Sequence, residues 1–406
     1  MNSNLGAISL PSKVLVFSVT AVGLLHNSIF VSSTPEILRT FGESENLAGL
    51  LIAAGSIPGV VVAPFIGFLA DRFGRKKVLI PCLIIYGVFG LLVGLSPSLS
   101  WFLILRIFQG LGSAGLINLV VVIISDNWGS LERARLIGQN AAAITISVAI
   151  YPVAGGGITD LIGWRWNFLT FFLPLIVAFF ISRKLEDHQP GLKVSVREQI
   201  SGAFAEVRKP AIATNLVIGT IVFMSIFGLL LSLLPVHLDR EYGLSPTERG
   251  LIASTPAILA ALAALTVARV RKRVQGGIII YASLLIWGIS FLLMGFGSLP
   301  VLVIGTIAYG FSEGLMIPTL QDLIAENAPD QFRGALLAIW TGAGRLGQTL
   351  GPVAISLALW GLSTSWVLIL GGLGMILISG LASITRTLII SSVSYTHLTL
   401  PTTPYV

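Results

Sequence analysis

Twelve times along 406 residues the chain runs for about 20 residues with almost no charge, and short polar turns separate the runs. A helix rising about 1.5 Å per residue crosses the roughly 30 Å hydrocarbon layer in such a run. In lipid every backbone N–H and C=O must bond internally, which favours a helix for each run. The runs lie near 12–35, 46–70, 78–96, 99–124, 135–158 and 165–182, then near 210–236, 247–268, 276–296, 299–325, 333–359 and 363–385. The predicted fold class is an all-α membrane protein with twelve transmembrane helices in the lipid bilayer. With 54% hydrophobic and 11% charged residues, the chain holds far more apolar side chain than a soluble domain of this length can hide.

The longest polar stretch, Arg183 to Lys209, falls between the sixth and seventh runs and carries Glu186, Asp187, Gln189, Pro190 and Gly191. The expected division is a six-helix bundle over 1–182, a central cytoplasmic linker over 183–209 and a second bundle over 210–388. After Arg386 the chain carries no charge and no helical pattern. Residues 389–406 read either as a non-native extension, resembling adapter read-through, or as a short disordered tail. The first run is long enough to span and lacks a small-residue cleavage site, so no cleavable signal peptide is expected.

The net charge of +7 does not gather on one surface, which argues against a nucleic-acid partner. The cations sort by loop instead. With the amino terminus inside, 19 of the 25 Lys and Arg fall on the inner side, 4 on the outer side, and Arg106 and Arg345 within spans. Both termini are expected in the cytoplasm, and the chain in a bacterial-type cytoplasmic membrane. The single cysteine, Cys82, sits in an apolar run, which excludes a disulfide framework and a Cys-based metal site.

The halves look like copies offset by 200 residues. Asp126-Asn127 answers Glu326-Asn327, Arg133 answers Arg333, Pro152 answers Pro352, and Trp166 answers Trp366. Such a register predicts two pseudo-symmetric bundles from a duplicated unit.

The loop after span 2, residues 67–77, concentrates Asp71 and four cations between Gly67 and Lys77. Its glycines allow close backbone approach, and Asp71 can offset cations or favour a helix N-terminus. The loop resembles the G-x-L-A-D-R-x-G-R-K-K signature of the major facilitator superfamily, and the likeness extends over about residues 10–388. The resemblance implies a gating role for Gly67, Asp71, Arg72, Gly74, Arg75 and Lys76, latching the bundles on the cytoplasmic side. The second copy, 266–273, keeps the cations without the Gly and Asp.

Span 4 carries Arg106, Gln109, Gly110, Gly112 and Gly115, similar to the family's R-x-x-Q-G-x-G-x-A element. A lone arginine in hydrocarbon costs several kcal/mol unless it snorkels or finds partners. The resemblance associates Arg106 with proton transfer, while the residues alone equally allow it to bond free carbonyls at a kink. Span 5 matches the family's antiporter element only in part. Pro152, Gly155 and Gly156 fit, but Ser147 and Tyr151 replace expected glycines. Gly110, Pro152, Gly155, Gly156, Gly351 and Pro352 read as helix-packing and kink positions.

His26 and Asn27 share the depth of Arg106, so His26 is either a relay partner or a packing histidine. Glu313 and Arg345 both fall near mid-membrane and are expected either to pair or to serve a proton or substrate separately. The proton-coupling candidates are therefore His26, Arg106, Glu313 and Arg345. The substrate-cavity candidates are Asn27, Gln109, Asn118, Asn140 and Gln348, with aromatic side chains such as Phe223, Trp287, Tyr309 and Trp340 able to line an apolar site.

The expected function is a secondary active transporter using alternating access, with export of small amphipathic molecules driven by the proton gradient and no cofactor. Its partners are a small-molecule substrate and protons, and a monomer is expected to suffice. An importer or facilitator of a sugar-like or organic-acid solute is the alternative, and a non-transporting receptor or scaffold the reading from another class. Four histidines and one cysteine scattered through the chain do not suggest an enzyme.

Overall fold

The computed structural model describes residues 12–185, 205–329 and 331–385. Six long helical segments make the first half: Lys13–Thr40, Ala48–Phe73, Arg75–Gly94, Leu99–Asn127, Ser130–Ile162 and Trp164–Lys184. Six more make the second: Pro210–Tyr242, Pro246–Ala264, Gly276–Phe296, Leu299–Asn327, Arg333–Ala358 and Thr364–Thr385. They are spans 1 to 12. Ten are long and apolar enough to cross a membrane. Spans 8 and 11 miss that measure because span 8 opens on Thr247, Glu248 and Arg249 and span 11 carries Arg345 and Gln348. Both pack on the opposite half, span 8 against span 5 and span 11 against span 2.

The halves bury separate hydrophobic cores. One is built from residues between Val16 and Leu185 with Val236 added, the other from residues between Ile212 and Ala382. The expected linker, 183–209, is described only at its ends, and the tail at 389–406 lies outside the described residues.

Four spans depart from the uninterrupted helices expected, span 6 by opening as a 3₁₀ helix over Trp164–Phe171. Span 1 is α-helical over Lys13–Gly23, resumes for Leu25–Ser28, tightens to a 3₁₀ turn at Val31–Ser33 and continues as Thr34–Thr40. Span 4 breaks between Ser113 and Leu116. Span 7 widens to a π-helix over Ile226–Leu233, where the Ser232 hydroxyl donates to the Phe227 carbonyl at 2.6 Å. Pro35 follows the 3₁₀ turn of span 1 and Pro235 the π-helix of span 7, each in the first turn of the resuming helix, while span 4 breaks without a proline.

Call the side that carries the linker ends the linker face and the opposite side the far face. Span 2 shows how the halves meet. Leu51, Ile52, Ala53 and Ala54, toward the far face, are buried, whereas Ile57, Val61, Phe65 and Phe68, toward the linker face, are 44–62% exposed. The bundles close on each other at the far face and part toward the linker face.

Candidate functional site

The far face is clasped by charge. Arg39 reaches Asp239, Arg240 donates to Glu45 at 2.5 Å, and Arg249 bonds Glu36 and lies 3.5 Å from Asp239. Arg249–Asp239 links spans 8 and 7, and each of the other pairs joins span 1 or the turn after it to span 7 or 8. Asp160 at the end of span 5 also accepts from the Thr247 backbone N–H at 2.9 Å and from its hydroxyl. Every hydrogen bond and ion pair that joins the bundles among the described residues sits here. None of the far-face charges was singled out as a site in the sequence, because each looks like an ordinary loop charge until the chain folds.

Beneath the clasp the repeat builds one contact twice. An ideal Cβ on Gly250 of span 8 would lie 2.2 Å from the Pro152 carbonyl of span 5, and one on Gly49 of span 2 would lie 1.9 Å from the Pro352 carbonyl of span 11. The repeat-related prolines thus each seat a glycine of the other bundle. Gly156 adds a third such contact, 2.3 Å from the Pro246 carbonyl, while Gly155 and Gly351 meet Ile29 and Met224 inside their own bundles. Gly156→Ala is expected to force spans 5 and 8 apart at a cost of about 1–3 kcal/mol. Spin labels at Glu43→Cys and Glu241→Cys, in a Cys82→Ser background, would report a longer far-face distance.

Deeper, Arg106 is a saturated hub. Its side chain is fully buried, and the guanidinium donates to the His26 carbonyl at 2.7 Å, the Asn27 Oδ1 at 2.5 Å, the Gln109 Oε1 at 2.6 Å and the Leu51 carbonyl at 3.2 Å. The His26 Nδ1 lies 3.3 Å away, and the Phe30 ring centre 4.8 Å from the guanidinium carbon. The break in span 1 explains the geometry: unwinding around Leu24 and Ile29 presents acceptors that a regular helix would direct elsewhere. Gly55 of span 2 admits the group, since a Cβ there would lie 2.6 Å from both Arg106 and His26. The Gln109 Nε2 has no partner although buried. His26, Asn27, Arg106 and Gln109 are therefore one cluster, in which Arg106 both bonds free carbonyls and touches the titratable ring.

The other expected site residues are dispersed. Asn140 accepts from the Thr20 hydroxyl at 2.6 Å, tying span 5 to span 1, and Asn118 is exposed on span 4. Of the two alternatives for Glu313 and Arg345 the pair is not made, since no ion pair within 4.0 Å joins them; Arg345 instead donates to Gln348 at 3.3 Å and lies along Gly59 of span 2. Trp287 and Tyr309 stack at 4.3 Å as core of the second bundle rather than lining an open site.

At the linker face Arg75 bonds Asp71 at 2.5 Å and Asp126 at 3.0 Å, all within the first bundle, with Arg72 stacked on Phe73 and Lys76 half-buried beside them. Among the described residues, the bonds of Asp71 and Arg75 stay within the first bundle. Gly74 is required for its backbone, at φ 101°, whereas open space surrounds Gly67, so close approach does not explain that glycine. The second copy proves less degraded than its sequence suggests. Arg271 bonds Asp322 at 2.9 Å and Glu326 at 2.7 Å, and Glu326 is the repeat partner of Asp126. Burial opposes the Arg271 charge, but these two carboxylates outweigh it and hold its pKa above the ordinary arginine value.

The family model of the Major Facilitator Superfamily matches residues 15–237 and again 216–391. The chain belongs to this superfamily. Membership makes it an integral membrane transporter and not an enzyme, in a family that generally needs no cofactor. Among curated relatives of this superfamily member, it is 23% identical to the bacillibactin exporter of Bacillus subtilis (strain 168), over 84% of this chain and 87% of that one. It is 26% identical to multidrug resistance protein MdtG of Salmonella arizonae, over 75% and 77%. The fold matches a bacterial homolog of the human lysosomal transporter Spinster in an inward-facing, unoccupied conformation, with TM-score 0.73, 16% identity and 94% of each chain covered. A D-xylose–proton symporter has the same fold at TM-score 0.73 and 16% identity, over 91% and 96%.

Proposed function

We propose that this transporter is a proton-coupled exporter of small amphipathic molecules, working as a monomer by alternating access in a bacterial cytoplasmic membrane. The one-sided closure carries the reading: among the described residues, polar bonds between the bundles occur only at the far face, and span 2 is exposed toward the linker face, where the cations concentrate. With that face cytoplasmic by the positive-inside rule, the structure is the inward-open state that receives cargo from the cell. The relatives' names, an exporter and multidrug resistance proteins, support the outward direction. Residues 1–182 and 210–388 would rock as units about the Pro152 and Pro352 contacts, with 183–209 linking them. His26, Arg106 and Glu313 are the groups assigned to proton coupling, and Asn27, Gln109, Asn118, Asn140 and Gln348 those assigned to the path of the substrate.

In proteoliposomes under an imposed pH gradient, labelled amphipathic probes should move only with the gradient and stop when a protonophore is added. Gradient-independent flux would mark a facilitator, and absence of flux for every solute a scaffold. The linker-face loop acts when the bundles close there. Asp71→Asn is therefore expected to slow turnover severalfold while leaving substrate affinity within about twofold, because the exposed carboxylate contributes little while the latch is open. A large affinity loss with normal turnover would show a binding role instead.

A further inference from the structure

Two arginines lie within the spans, and their surroundings differ in a way that assigns them different work. Arg106 is saturated by acceptors from spans 1, 2 and 4. Among the described residues, Arg345 has one hydrogen bond, to Gln348 at 3.3 Å, and no carboxylate within 4.0 Å. A guanidinium carries five donors, and Arg345 is half-buried with none of its free donors enclosed by protein, so they are accessible to an anion.

Its position suits one. Arg345 projects from span 11 onto span 2, where a Cβ on Gly59 would lie 3.6 Å from its Cδ. Toward the far face, ten residues along span 2 and seven along span 11, Gly49 and Pro352 press the same two spans together. Arg345 therefore stands just below the seal, where the bundles begin to part. Toward the linker face, Trp340 meets Phe223 edge-to-face at 5.8 Å, and the Trp340 Nε1 has no acceptor although buried. Phe223 of span 7 is half-buried, whereas Trp340 packs behind it in the core of the second bundle, its Nε1 turned toward Gly219.

We propose that Arg345 is the anion-recognition residue of this transporter, binding the carboxylate of an amphipathic organic acid whose apolar body lies toward Phe223. The assignment rests on the export reading above and narrows its substrate class. Arginine is suited to the task because its planar fork matches a carboxylate with two parallel hydrogen bonds. Gln348, by accepting from the guanidinium, holds it toward span 2 and acts as a positioning residue.

The test uses three probes with one body and different heads: 1-pyrenebutyrate, 1-pyrenebutanol and 1-pyrenebutylamine. Binding to the purified full chain in lipid nanodiscs is read by energy transfer from tryptophan to pyrene. The wild type should bind the butyrate about tenfold or more tighter than the alcohol, and the amine most weakly. Arg345→Gln should erase the ranking, and Arg345→Lys should keep part of it. Equal affinities for the three heads in the wild type would overturn the assignment, as would an Arg345→Gln variant that weakens all three alike. If Arg345→Gln does not fold, the wild-type ranking and its partial loss in Arg345→Lys still decide the matter. No gradient enters this measurement. Ranked binding without gradient-driven flux would defeat the export reading alone, and gradient-driven flux with unranked binding would defeat the anion site alone.

Discussion

Arg106→Gln is expected to abolish transport and to lower the unfolding temperature of the purified protein. The substitution strands acceptors on three spans at once: the His26 carbonyl and Asn27 Oδ1 on span 1, the Leu51 carbonyl on span 2 and the Gln109 Oε1 on span 4. Each buried acceptor left unpaired costs about 1–3 kcal/mol, and relief of the buried charge returns only part of that. Arg106→Lys separates the two contributions, because an ammonium keeps the charge but offers three donors and no planar fork. It should stay folded, lose stability by about 2–4 kcal/mol and retain at most a tenth of the turnover. If charge alone matters, Arg106→Lys will transport normally. If the hub is only structural, a protein rescued by lipid or low temperature will transport at the wild-type rate with Arg106→Gln in place.

Much of this architecture is legible in the sequence, because bilayer thickness and backbone satisfaction leave an apolar run of about 20 residues few alternatives. The expected run at 299–325 is observed as Leu299–Asn327, and that at 276–296 as Gly276–Phe296. The cluster of His26, Asn27, Arg106 and Gln109 could also be anticipated, since polar groups at one depth in neighbouring helices must find each other. What stayed hidden depends on geometry that no local pattern records. The break in span 1 follows from where its carbonyls find a donor. The pairing of Arg39 with Asp239 depends on two ends of a repeat meeting near its pseudo-symmetry axis. Glu313 and Arg345 look like a pair from depth alone, but depth does not fix the side of the helix on which a residue lies.

Arg249→Met should open the far face, and it should do so much more than removal of its neighbour Arg39. Six charges form the clasp: Glu36, Glu45 and Asp239 against Arg39, Arg240 and Arg249. The set is balanced as it stands. The Arg249 side chain is 1% exposed and its partners Glu36 and Asp239 are 24% and 10% exposed, so its loss leaves two partly buried carboxylates sharing the solvent-exposed Arg39. Truncating one member of a buried pair costs about 2–5 kcal/mol, which corresponds to a shift of roughly 30-fold or more between inward-open and outward-open states. Arg39, at 51% exposed, is screened by solvent and contributes about 0–1 kcal/mol. Spin labels at Glu43→Cys and Glu241→Cys should therefore show a long-distance population that dominates in Arg249→Met and is minor in Arg39→Met. Turnover should fall in the first variant because resetting to the inward-open state becomes the slow step. Adding Glu36→Gln to Arg249→Met removes one of the stranded carboxylates and should restore part of the closed population. An unchanged distance distribution in Arg249→Met would mean that the glycine–proline seats hold the far face shut without the clasp.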